Sequence, residues 1–580
     1  MAKAPPEPNA RAGEGRTIGR LWRDGVAAGR TNSAYLVEGP DGWSEISWDE
    51  AARTVDELAN GLLALGIRKG DTVGILAQTS LEWALFDFAL ALIGAVGAAV
   101  YANSSSRDAR YVLEHSDAVA ALVENEEQRA KIADAQIPHV LTFDDLDELR
   151  ARGRAFAEEQ PNALTQAAAA VGEEDLFTFI YTSGTTGPPK GCMIRHRNYY
   201  EMAGCVDHVD AFAFSDDTML LYLPLAHNFG RLMHLLGAHV GYTIAFCPDP
   251  LRIAEVLPVV RPTILPSVPR LYEKVHTALR AQFDSTHGVK RRLLDFALRT
   301  GRHVSELRQQ GRPLPPGLAL RHRLADRLVY RKVKNRLGGR LRLGVSGGAP
   351  LAKEIGELFH ALDILIIEGW GLTECTTAAS VNRPNRFRFG SVGPALPGFE
   401  VRAAEDGELL IRSETVFAGY YKDENATREV LDDDGWLRSG DVGSIDEDGF
   451  IHITDRKKDI LVTAGGKNVA PQNLENALKT APLVSQALVV GDRRPYVAAL
   501  ITVDPEQSKE IAPDELNERV QAIVDGVNAE LSRYEQIKRF IVLPRDFSAD
   551  EDEVTPTLKL KRRIVAEHFA VEIEELYRAN

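Results

Sequence analysis

Helical and strand patterns alternate along the first part of this chain of 580 residues, and the alternation limits the folds open to it. Residues 48–65 carry apolar side chains at helical spacing and precede Gly66, a residue type common after helix C-termini. Residues 71–76 are typical of a buried strand, and residues 81–93 of the next helix. Residues 151–171 are Ala-rich and predict a surface connection. Strands that alternate with helices in this way predict parallel sheets with crossover helices.

The pattern changes to a strand-rich one from residue 408 onward. Residues 408–412 predict a strand, and a charged segment follows at 454–459. After it, residues 473–480 predict a helix, and residues 487–490 and 496–503 predict two paired strands. This order indicates a small α+β domain that begins at the charged segment.

Composition and charge exclude several classes of protein. Hydrophobic residues at 44% and charged residues at 26% exclude a disordered, collagenous or coiled-coil chain. A net charge of −15 argues against a general nucleic-acid binder. Residues 290–342 differ, because 16 basic and three acidic residues give this segment a charge of +13. It predicts a partly amphipathic basic helix, which is either a solvated face or a surface for anionic lipid headgroups or phosphates.

The cysteines and the N-terminus bear on the compartment. None of the four cysteines forms a CxxC pair, so neither a zinc site nor a disulfide framework is expected. Residues 1–16 are polar with three prolines, which predicts a disordered tail and argues against a secretory signal. The longest uncharged apolar run, 88–101, is too short for a membrane span of about 20 residues. We therefore expect a cytoplasmic protein, peripheral on the inner membrane face if residues 290–342 bind lipid.

A loop rich in small polar residues follows a predicted strand at 177–181. Residues 181–191, YTSGTTGPPKG, combine hydroxyl side chains, two interior glycines and Lys190. Glycines let a backbone approach phosphates closely, Ser and Thr donate hydrogen bonds, and lysine supplies a positive charge. The loop is not a Walker A motif, because Pro189 stands where the second glycine of that motif is required. These residues predict a phosphate-binding loop of another type.

The loop resembles the phosphate-binding loop of the adenylate-forming superfamily, which includes acyl-CoA synthetases, luciferases and peptide-synthetase adenylation domains. Similar motifs of that superfamily follow in order: LPLAH at 223–227, SGGAP at 346–350, EGWGLTE at 368–374, GWLRSGD at 435–441, DRKKD at 455–459 and TPTLK at 555–559. The resemblance implies an α/β fold with a large N-terminal adenylation domain, 17–455, built from two doubly wound α/β subdomains plus a distorted β-barrel. It also implies a small mobile α+β C-terminal domain, 456–580, with its hinge at Lys458.

The resemblance further implies a reaction with ATP, Mg²⁺ and CoA. A carboxylate attacks the α-phosphate of ATP to give an acyl-adenylate and pyrophosphate, and the CoA thiol then displaces AMP. The β- and γ-phosphates are assigned to Thr182, Ser183, Gly184, Thr185, Thr186, Gly187 and Lys190. Thr373 is assigned to the α-phosphate and Glu374 to Mg²⁺, which prefers one or two carboxylates plus phosphate oxygens. Lys559 would reach the α-phosphate and the carboxylate, with Lys561 as the alternative.

The other site residues are assigned by the same resemblance. The adenine site is assigned to Gly347, Gly348, Ala349, Glu368, Gly369, Trp370 and Gly371. Asp441 and Arg456 would bind the ribose, and His227 would lie between the acyl pocket and the CoA tunnel. After rotation of the small domain, the tunnel would be lined by Gly465, Gly466 and Lys467. From the residues alone, Trp370 also fits a core aromatic, Asp441 a turn, His227 a core histidine and the glycine loop a hairpin turn.

Three segments resemble long-chain fatty acyl-CoA synthetases, namely residues 328–339, 464–471 and 557–562. One departure is the sequence NFGR after His227, in which Gly230 is expected to widen or loosen the segment. The leading prediction is a long-chain fatty acid–CoA ligase of the bacterial type. The alternatives are a medium-chain or aryl-CoA ligase, a fatty acyl-AMP ligase, and a silent acyl- or nucleotide-binding protein. Fatty acid, ATP and CoA are the expected partners, with a homodimer as a further expectation.

Overall fold

Local capping signals fix the first helices of the computed structural model. The structure describes residues 15–182, 188–509, 511–548, 551–555 and 560–578. Helix Trp48–Ala64 begins at Ser47, whose hydroxyl accepts a hydrogen bond from the Glu50 N–H while the Glu50 carboxylate accepts one from the Ser47 N–H. Helix Leu81–Ile93 has the predicted bounds and ends at Gly94, whose φ of 71° lies in the left-handed region.

The first sheet, as far as the structure describes it, has five parallel strands and one antiparallel edge strand. In spatial order the strands are His139–Thr142, Ala118–Val123, Thr72–Ala77, Val96–Tyr101, Leu176–Thr182 and Lys190–Arg195. The helices of this part of the chain are Ile18–Ala27, Trp48–Ala64, Leu81–Ile93, Ser106–His115, Glu126–Lys131, Leu146–Glu159, Ala163–Ala169 and His196–Gly204.

The second sheet has a parallel centre with an antiparallel strand at each edge. Its strands in spatial order are Ser380–Val381, Leu365–Trp370, Leu343–Ser346, Ile264–Ser267, Thr218–Leu221, Thr243–Phe246, Tyr35–Gly39 and Gly42–Ile46. Its connecting helices include Asn228–Val240, Ile253–Val260, Pro269–Asp284 and Lys353–Ala361. The prediction of parallel sheets with crossover helices is confirmed.

A third, antiparallel sheet stands where the resemblance implied a distorted β-barrel. Its strands are Glu400–Ala403, Glu408–Arg412, Leu437–Ile445 and Ile451–Arg456, and helix Glu424–Val430 lies between the second and third. Single bridges, Pro394 to Phe450 and Ser380 to Ala395, extend the pairing toward the second sheet.

The C-terminal part is an α+β unit with its own apolar core, as predicted. It contains the short hairpin Leu461–Val462 with Asn468–Val469 and a sheet of Val484–Val490, Val497–Val503 and Ile537–Val542. Its helices are Pro471–Lys479, Pro505–Ser508, Pro513–Asn528, Arg562–His568 and Ala570–Tyr577.

Residues 151–171 are mostly exposed and precede strand Leu176–Thr182, in line with the predicted surface connection, but the segment is largely helical. Helices Leu146–Glu159 and Ala163–Ala169 occupy this segment, and the first packs against helix Trp48–Ala64. A side chain at Gly153 would collide with the backbone of the facing helix, so the small residue there permits close packing. The small residues of this segment therefore serve helix contact as well as exposure.

The predicted tail is also corrected at its end. Arg16, assigned to the tail, forms ion pairs of 3.0, 2.6 and 2.6 Å with Glu173, Glu201 and Glu414. These three carboxylates come from distant parts of the chain, so the ordered structure includes Arg16. Residues 1–14 lie outside the described residues.

The basic segment 290–342 is helical, in line with its apolar spacing. It spans most of helix Gly288–Gln309 and the helices Pro316–Ala325 and Arg331–Arg336, joined by a π-helical turn. The exposed large apolar side chains in or beside it are Val289, Leu293, Leu320, Leu324 and Leu328. The segment thus exposes apolar side chains together with positive charge.

A buried ion pair connects the two parallel sheets. Asp87 on helix Leu81–Ile93 and Arg231 on helix Asn228–Val240 are both fully buried. The Arg231 Nε donates to the carboxylate at 3.0 Å, and its Nη1 donates to the Thr178 hydroxyl of the first sheet at 2.6 Å. Because a buried charge requires a partner and hydrogen bonds, this contact fixes the helix against the strand.

We expect the Arg231→Met substitution to lower the free energy of unfolding by about 3–5 kcal/mol, because it leaves a buried carboxylate unpaired. The double variant Asp87→Leu/Arg231→Met should lose less than the sum of the two single variants. The matched control is Arg252→Met, which removes an exposed pair with Glu38 and should cost less than about 1 kcal/mol. Urea and thermal unfolding measure these changes, and additive single losses would contradict the role assigned to the pair.

Candidate active site

One cavity of about 1990 Å³ lies between the two parallel sheets, the third sheet and the C-terminal unit. It brings together most of the residues predicted from motifs. Those that line it are Thr182, Lys190, His227, Gly347, Gly348, Ala349, Glu368, Gly369, Trp370, Gly371, Thr373, Glu374, Asp441, Arg456 and Lys458. Ser183, Gly184, Thr185, Thr186, Gly187 and Lys559 lie outside the described residues.

A tyrosine that the motif analysis missed connects the predicted phosphate and metal residues. The Tyr420 hydroxyl donates to Glu374 Oε1 at 2.6 Å, and the Lys190 ammonium lies 5.0 Å from the centre of the Tyr420 ring. Lys190 begins an edge strand and pairs in register with Thr182, so the two ends of the predicted loop are held side by side. Tyr420 carries no local sequence signal, because only the tertiary fold brings it to Glu374.

The backbone after Glu374 adopts uncommon dihedral angles. Thr376 and Thr377 have φ values of 56° and 97°, in the region that favours glycine. Hydrogen bonds hold both residues: the Thr376 hydroxyl donates to the Thr415 carbonyl at 2.6 Å, and Thr377 donates at 3.2 Å to the carbonyl of Asn228. Strained backbone that neighbouring hydrogen bonds hold in place is typical of functional sites. Here it fixes the direction of the Glu374 side chain.

Asp441 is held by two side chains on the cavity wall. The indole Nε1 of Trp370 donates to Asp441 Oδ2, and Arg456 Nε lies against Oδ1, both at 2.7 Å. Asp441 and Arg456 are cross-strand partners in the third sheet, so the turn interpretation of Asp441 is wrong. Each carboxylate oxygen accepts two hydrogen bonds in general, so one position on each remains for a ligand hydroxyl.

Glu368 is a buried carboxyl group on the same wall. It is 8% exposed, and its Oε2 accepts a hydrogen bond from the Leu351 N–H at 3.0 Å. Burial raises the pKa of Glu368 to about 7. The neighbouring Gly371 has a packing requirement, because a side chain there would collide with the Thr377 carbonyl.

His227 is a helix cap that faces the cavity. It is half-buried, and its Nδ1 accepts a hydrogen bond from the Phe229 N–H at 3.2 Å, which starts helix Asn228–Val240. One face of that helix, with side chains at helical spacing, forms an apolar wall of the cavity; these side chains are Phe229, Leu232, Met233 and Leu236. An elongated apolar group therefore fits beside the polar residues.

Gly230 does not widen or loosen its segment, which corrects the expectation from the NFGR sequence. A side chain at Gly230 would collide with the carbonyl oxygens of Leu223 and Pro224. The glycine lets the helix approach the end of the preceding strand closely, because it has no side chain on this face.

The C-terminal unit presents one of its two predicted segments to the cavity. Thr555, Leu560 and Lys561, on either side of the undescribed end of the TPTLK motif, line the cavity. Lys561 itself forms an ion pair with Asp552. Lys458 is exposed and also lines the cavity, at the junction of the two parts.

The glycine loop is not brought to the cavity. Gly465, Gly466 and Lys467 form the turn between strands Leu461–Val462 and Asn468–Val469. Gly466 has a φ of 71°, as the hairpin-turn interpretation requires. The structure therefore corresponds to an orientation in which Thr555, Leu560 and Lys561, and not the glycine loop, face the site.

Two family comparisons follow the same division of the chain. Residues 24–421 match the family described as AMP-binding enzyme, and residues 458–580 match the AMP-binding enzyme C-terminal domain. The chain belongs to the AMP-binding enzyme family. In this AMP-binding enzyme, the second match begins at Lys458, the predicted hinge.

Curated relatives cover nearly the whole length of this AMP-binding enzyme. It is 40% identical over 571 residues to the long-chain-fatty-acid–CoA ligase FadD15 of Mycobacterium bovis, covering 93% of each chain. It is 30% identical to the human long-chain-fatty-acid–CoA ligase ACSBG2, covering 97% of this chain and 92% of the relative.

Solved structures share the fold. The anthranilate CoA ligase AuaEII in complex with anthranoyl-AMP has a TM-score of 0.76 at 22% identity, covering 96% of this chain and 98% of the other. The adenylation domain of a carboxylate reductase from Mycobacterium chelonae also has a TM-score of 0.76, at 25% identity, with coverage of 98% and 92%.

We expect the contribution of Glu368 to the stability of this AMP-binding enzyme to fall as the pH rises from about 5 to 8. The folded protein holds the Glu368 proton up to a pKa of about 7, whereas the unfolded chain releases it near pH 4.5. The contribution of Glu368 to the free energy of unfolding therefore falls by up to about 3 kcal/mol over this range. The Glu368→Gln variant keeps an oxygen for the Leu351 N–H and removes this titration. Thermal unfolding of both proteins at several pH values measures the difference, in which all other titrating groups cancel. Parallel stability curves would show that Glu368 does not carry this proton.

Proposed function

We propose that this AMP-binding enzyme is an ATP-dependent fatty acid–CoA ligase, of the long-chain type. The observation that carries the proposal is a single cavity whose wall is apolar along helix Asn228–Val240 and polar at Lys190, Thr373 and Glu374. A fatty acid with its tail along the helix would direct its carboxylate to the polar residues. The 40% identity to a long-chain-fatty-acid–CoA ligase over 93% of the chain supports the same substrate class.

The first step joins a carboxylate to a triphosphate, so negative charge must be offset. A carboxylate oxygen attacks the α-phosphorus of ATP, and pyrophosphate leaves. Lys190 would neutralise the β- and γ-phosphates, helped by the loop residues Ser183, Gly184, Thr185, Thr186 and Gly187. The Thr373 hydroxyl would donate to the α-phosphate, and Lys559 would supply a second positive charge there. Fixed charges and donors of this kind lower the barrier because they need no rearrangement during reaction.

The nucleoside is assigned to the opposite wall. Trp370 would stack on the adenine, beside Gly347, Gly348 and Ala349. The remaining acceptor positions of Asp441 would take the ribose hydroxyls, and Arg456 would donate to the ribose. Because Trp370 and Arg456 already hold the Asp441 carboxylate, this acceptor is oriented before the nucleotide binds.

The residues of the site fit a magnesium ion. Glu374 lines the cavity, and the Tyr420 hydroxyl orients one of its oxygens, whereas none of the described residues donates a hydrogen bond to the other. Mg²⁺ typically takes one or two carboxylates and completes its shell with phosphate oxygens and water, which suits a single Glu. When bound, the ion would offset charge on the triphosphate.

The second step requires another orientation of the C-terminal unit. The CoA thiol attacks the acyl carbonyl of the adenylate, and AMP leaves. In the described orientation Gly465, Gly466 and Lys467 lie away from the cavity, whereas the resemblance assigns them to the CoA tunnel. Rotation about Lys458 would exchange the terminal motif for this hairpin, with His227 between the acyl and CoA sites.

We expect the purified protein to release pyrophosphate and AMP and to form acyl-CoA with a fatty acid, Mg·ATP and CoA. A panel of saturated acids of graded chain length, assayed with and without CoA, also measures the chain-length preference. Adenylate without thioester would indicate a fatty acyl-AMP ligase, and activity with aromatic acids alone an aryl-CoA ligase. No reaction with any acid would overturn the proposal and leave a binding protein.

The Lys559→Ala variant tests the role of this lysine in the same assay. It should strongly depress adenylate formation while thioester formation from supplied acyl-AMP falls much less, because the lysine acts on the α-phosphate in the first step. Equal loss of both half-reactions would contradict the role assigned to Lys559.

The basic segment 290–342 carries a separate proposal, peripheral contact with anionic membranes. Its charge of +13 and its exposed Leu320, Leu324 and Leu328 give the combination of positive charge and apolar side chains that interfacial surfaces use. Among the described residues no helix is both long and apolar enough to cross a membrane. Contact through this surface would bring the ligase to the source of its acyl substrate.

We expect the protein to float with anionic vesicles at low salt and to be released at high salt, since exposed charges are screened within about 10 Å at 0.1 M ionic strength. Arg323→Glu/Arg327→Glu should weaken flotation at least severalfold. The matched control, Arg493→Glu, changes a side chain that is 92% exposed on the C-terminal unit and should leave flotation unchanged. No flotation at low salt would favour the solvated-face interpretation.

A further inference from the structure

One helix of the large domain carries two charged residues of opposite sign toward the C-terminal unit. Arg270 and Glu273 lie one turn apart near the start of helix Pro269–Asp284, and both also line the cavity. Their partners, Ser485, Asp546 and Lys479, belong to the C-terminal unit. The motif analysis gave none of these residues a role.

Arg270 makes a two-point contact. Its Nη1 donates to the Ser485 carbonyl at 2.6 Å, and its Nη2 donates to the Ser485 hydroxyl at 2.8 Å and lies 3.6 Å from Asp546. The acceptors are themselves fixed, because the Ser485 hydroxyl donates to Asp546 at 2.6 Å and Thr502 donates to the other carboxylate oxygen. Because the guanidinium is planar and its acceptors are already in place, this contact fixes the orientation of the C-terminal unit on the large domain as well as the distance between them.

Glu273 makes the complementary contact. Its carboxylate is 7% exposed and accepts from the Lys479 ammonium at 3.1 Å, while Arg270 lies 3.8 Å away on the same helix. A carboxylate this buried is costly without a partner. The C-terminal unit must be in place for Lys479 to supply that partner.

We propose that Arg270 and Glu273 are positioning residues for the adenylation half-reaction. Together with Lys479, Ser485 and Asp546 they form an interdomain clamp. The clamp holds the C-terminal unit where Thr555, Leu560 and Lys561 line the cavity. The clamp rests on the proposed function, because it selects the orientation assigned to the first of two steps. Rotation of the C-terminal unit about Lys458 breaks the clamp, so it stabilises only this orientation.

The clamp predicts a split between the half-reactions. Weakening it lowers the population of the docked orientation and therefore the rate of adenylate formation. Thioester formation from supplied acyl-AMP uses the other orientation, so it is unchanged or faster. A residue needed only for folding would depress both steps together.

The experiment is a charge exchange across the clamp in the full-length protein. Glu273→Lys and Lys479→Glu, each alone, should slow single-turnover adenylate formation by about tenfold or more, because each places like charges in contact. The exchanged double variant, Glu273→Lys/Lys479→Glu, should recover most of that loss. Arg270→Ala should slow adenylation similarly, and Arg270→Lys should restore only part of the rate because it loses the two-point contact. Lys538→Glu, at an exposed lysine elsewhere on the C-terminal unit, is the matched control and should change neither step.

Thermal unfolding of each variant separates misfolding from loss of the clamp. If Glu273→Lys does not fold, the neutral variants Glu273→Gln and Lys479→Met and their double variant form a double-mutant cycle. This cycle measures the same interaction between the two residues. Equal loss of both half-reactions, no recovery in the exchanged variant, or unchanged adenylation in every variant would each overturn the clamp. Failure of the proposed function is distinct, since the unmodified protein would then form neither adenylate nor thioester.

Discussion

The buried pair of Asp87 and Arg231 determines how the two parallel sheets meet, and the cavity exists because they meet in one way. The Arg231 guanidinium lies 5.1 and 4.6 Å from the ring centres of Trp83 and Phe177, donates to Asp87 and donates to Thr178. An apolar contact tolerates small shifts, whereas a buried charge loses several kcal/mol if its partners move. The helix that forms the apolar wall is therefore fixed to the strand that leads into the phosphate-binding loop.

On this frame, the polar half of the cavity is assembled from residues far apart in the chain. Tyr420 contacts both Glu374 and Lys190, and Asp441 is held between Trp370 and Arg456. Each of these contacts orients a group before any ligand arrives. The strained Thr377 region is compatible with this function, because neighbouring hydrogen bonds hold it in place.

Two kinds of feature were predictable from the sequence: helices and strands that local patterns determine, and site residues that the motif resemblance identifies. Helix Leu81–Ile93 has the predicted bounds, which in the structure are capped by Ser80 and Gly94, and most motif residues line one cavity. Tyr420 was missed because no local pattern marks it. Gly230 was misinterpreted because only the tertiary structure shows what its missing side chain would face, namely the carbonyl oxygens of Leu223 and Pro224. The surface position of residues 151–171 was predicted but their two helices were not, because small residues serve helix contacts as well as exposed connections.

The orientation of the C-terminal unit could not be predicted from sequence for a different reason. The terminal motif and the glycine hairpin are both present in the chain, and both would serve the same cavity at different steps. A choice between them depends on contacts such as Arg270 with Ser485 and Glu273 with Lys479, which involve no recognisable motif. Hydrogen bonds to charged groups contribute about 1.5–3 kcal/mol each, far less than an apolar core. The proposed two-step reaction in a single cavity requires that both orientations be accessible to one sequence.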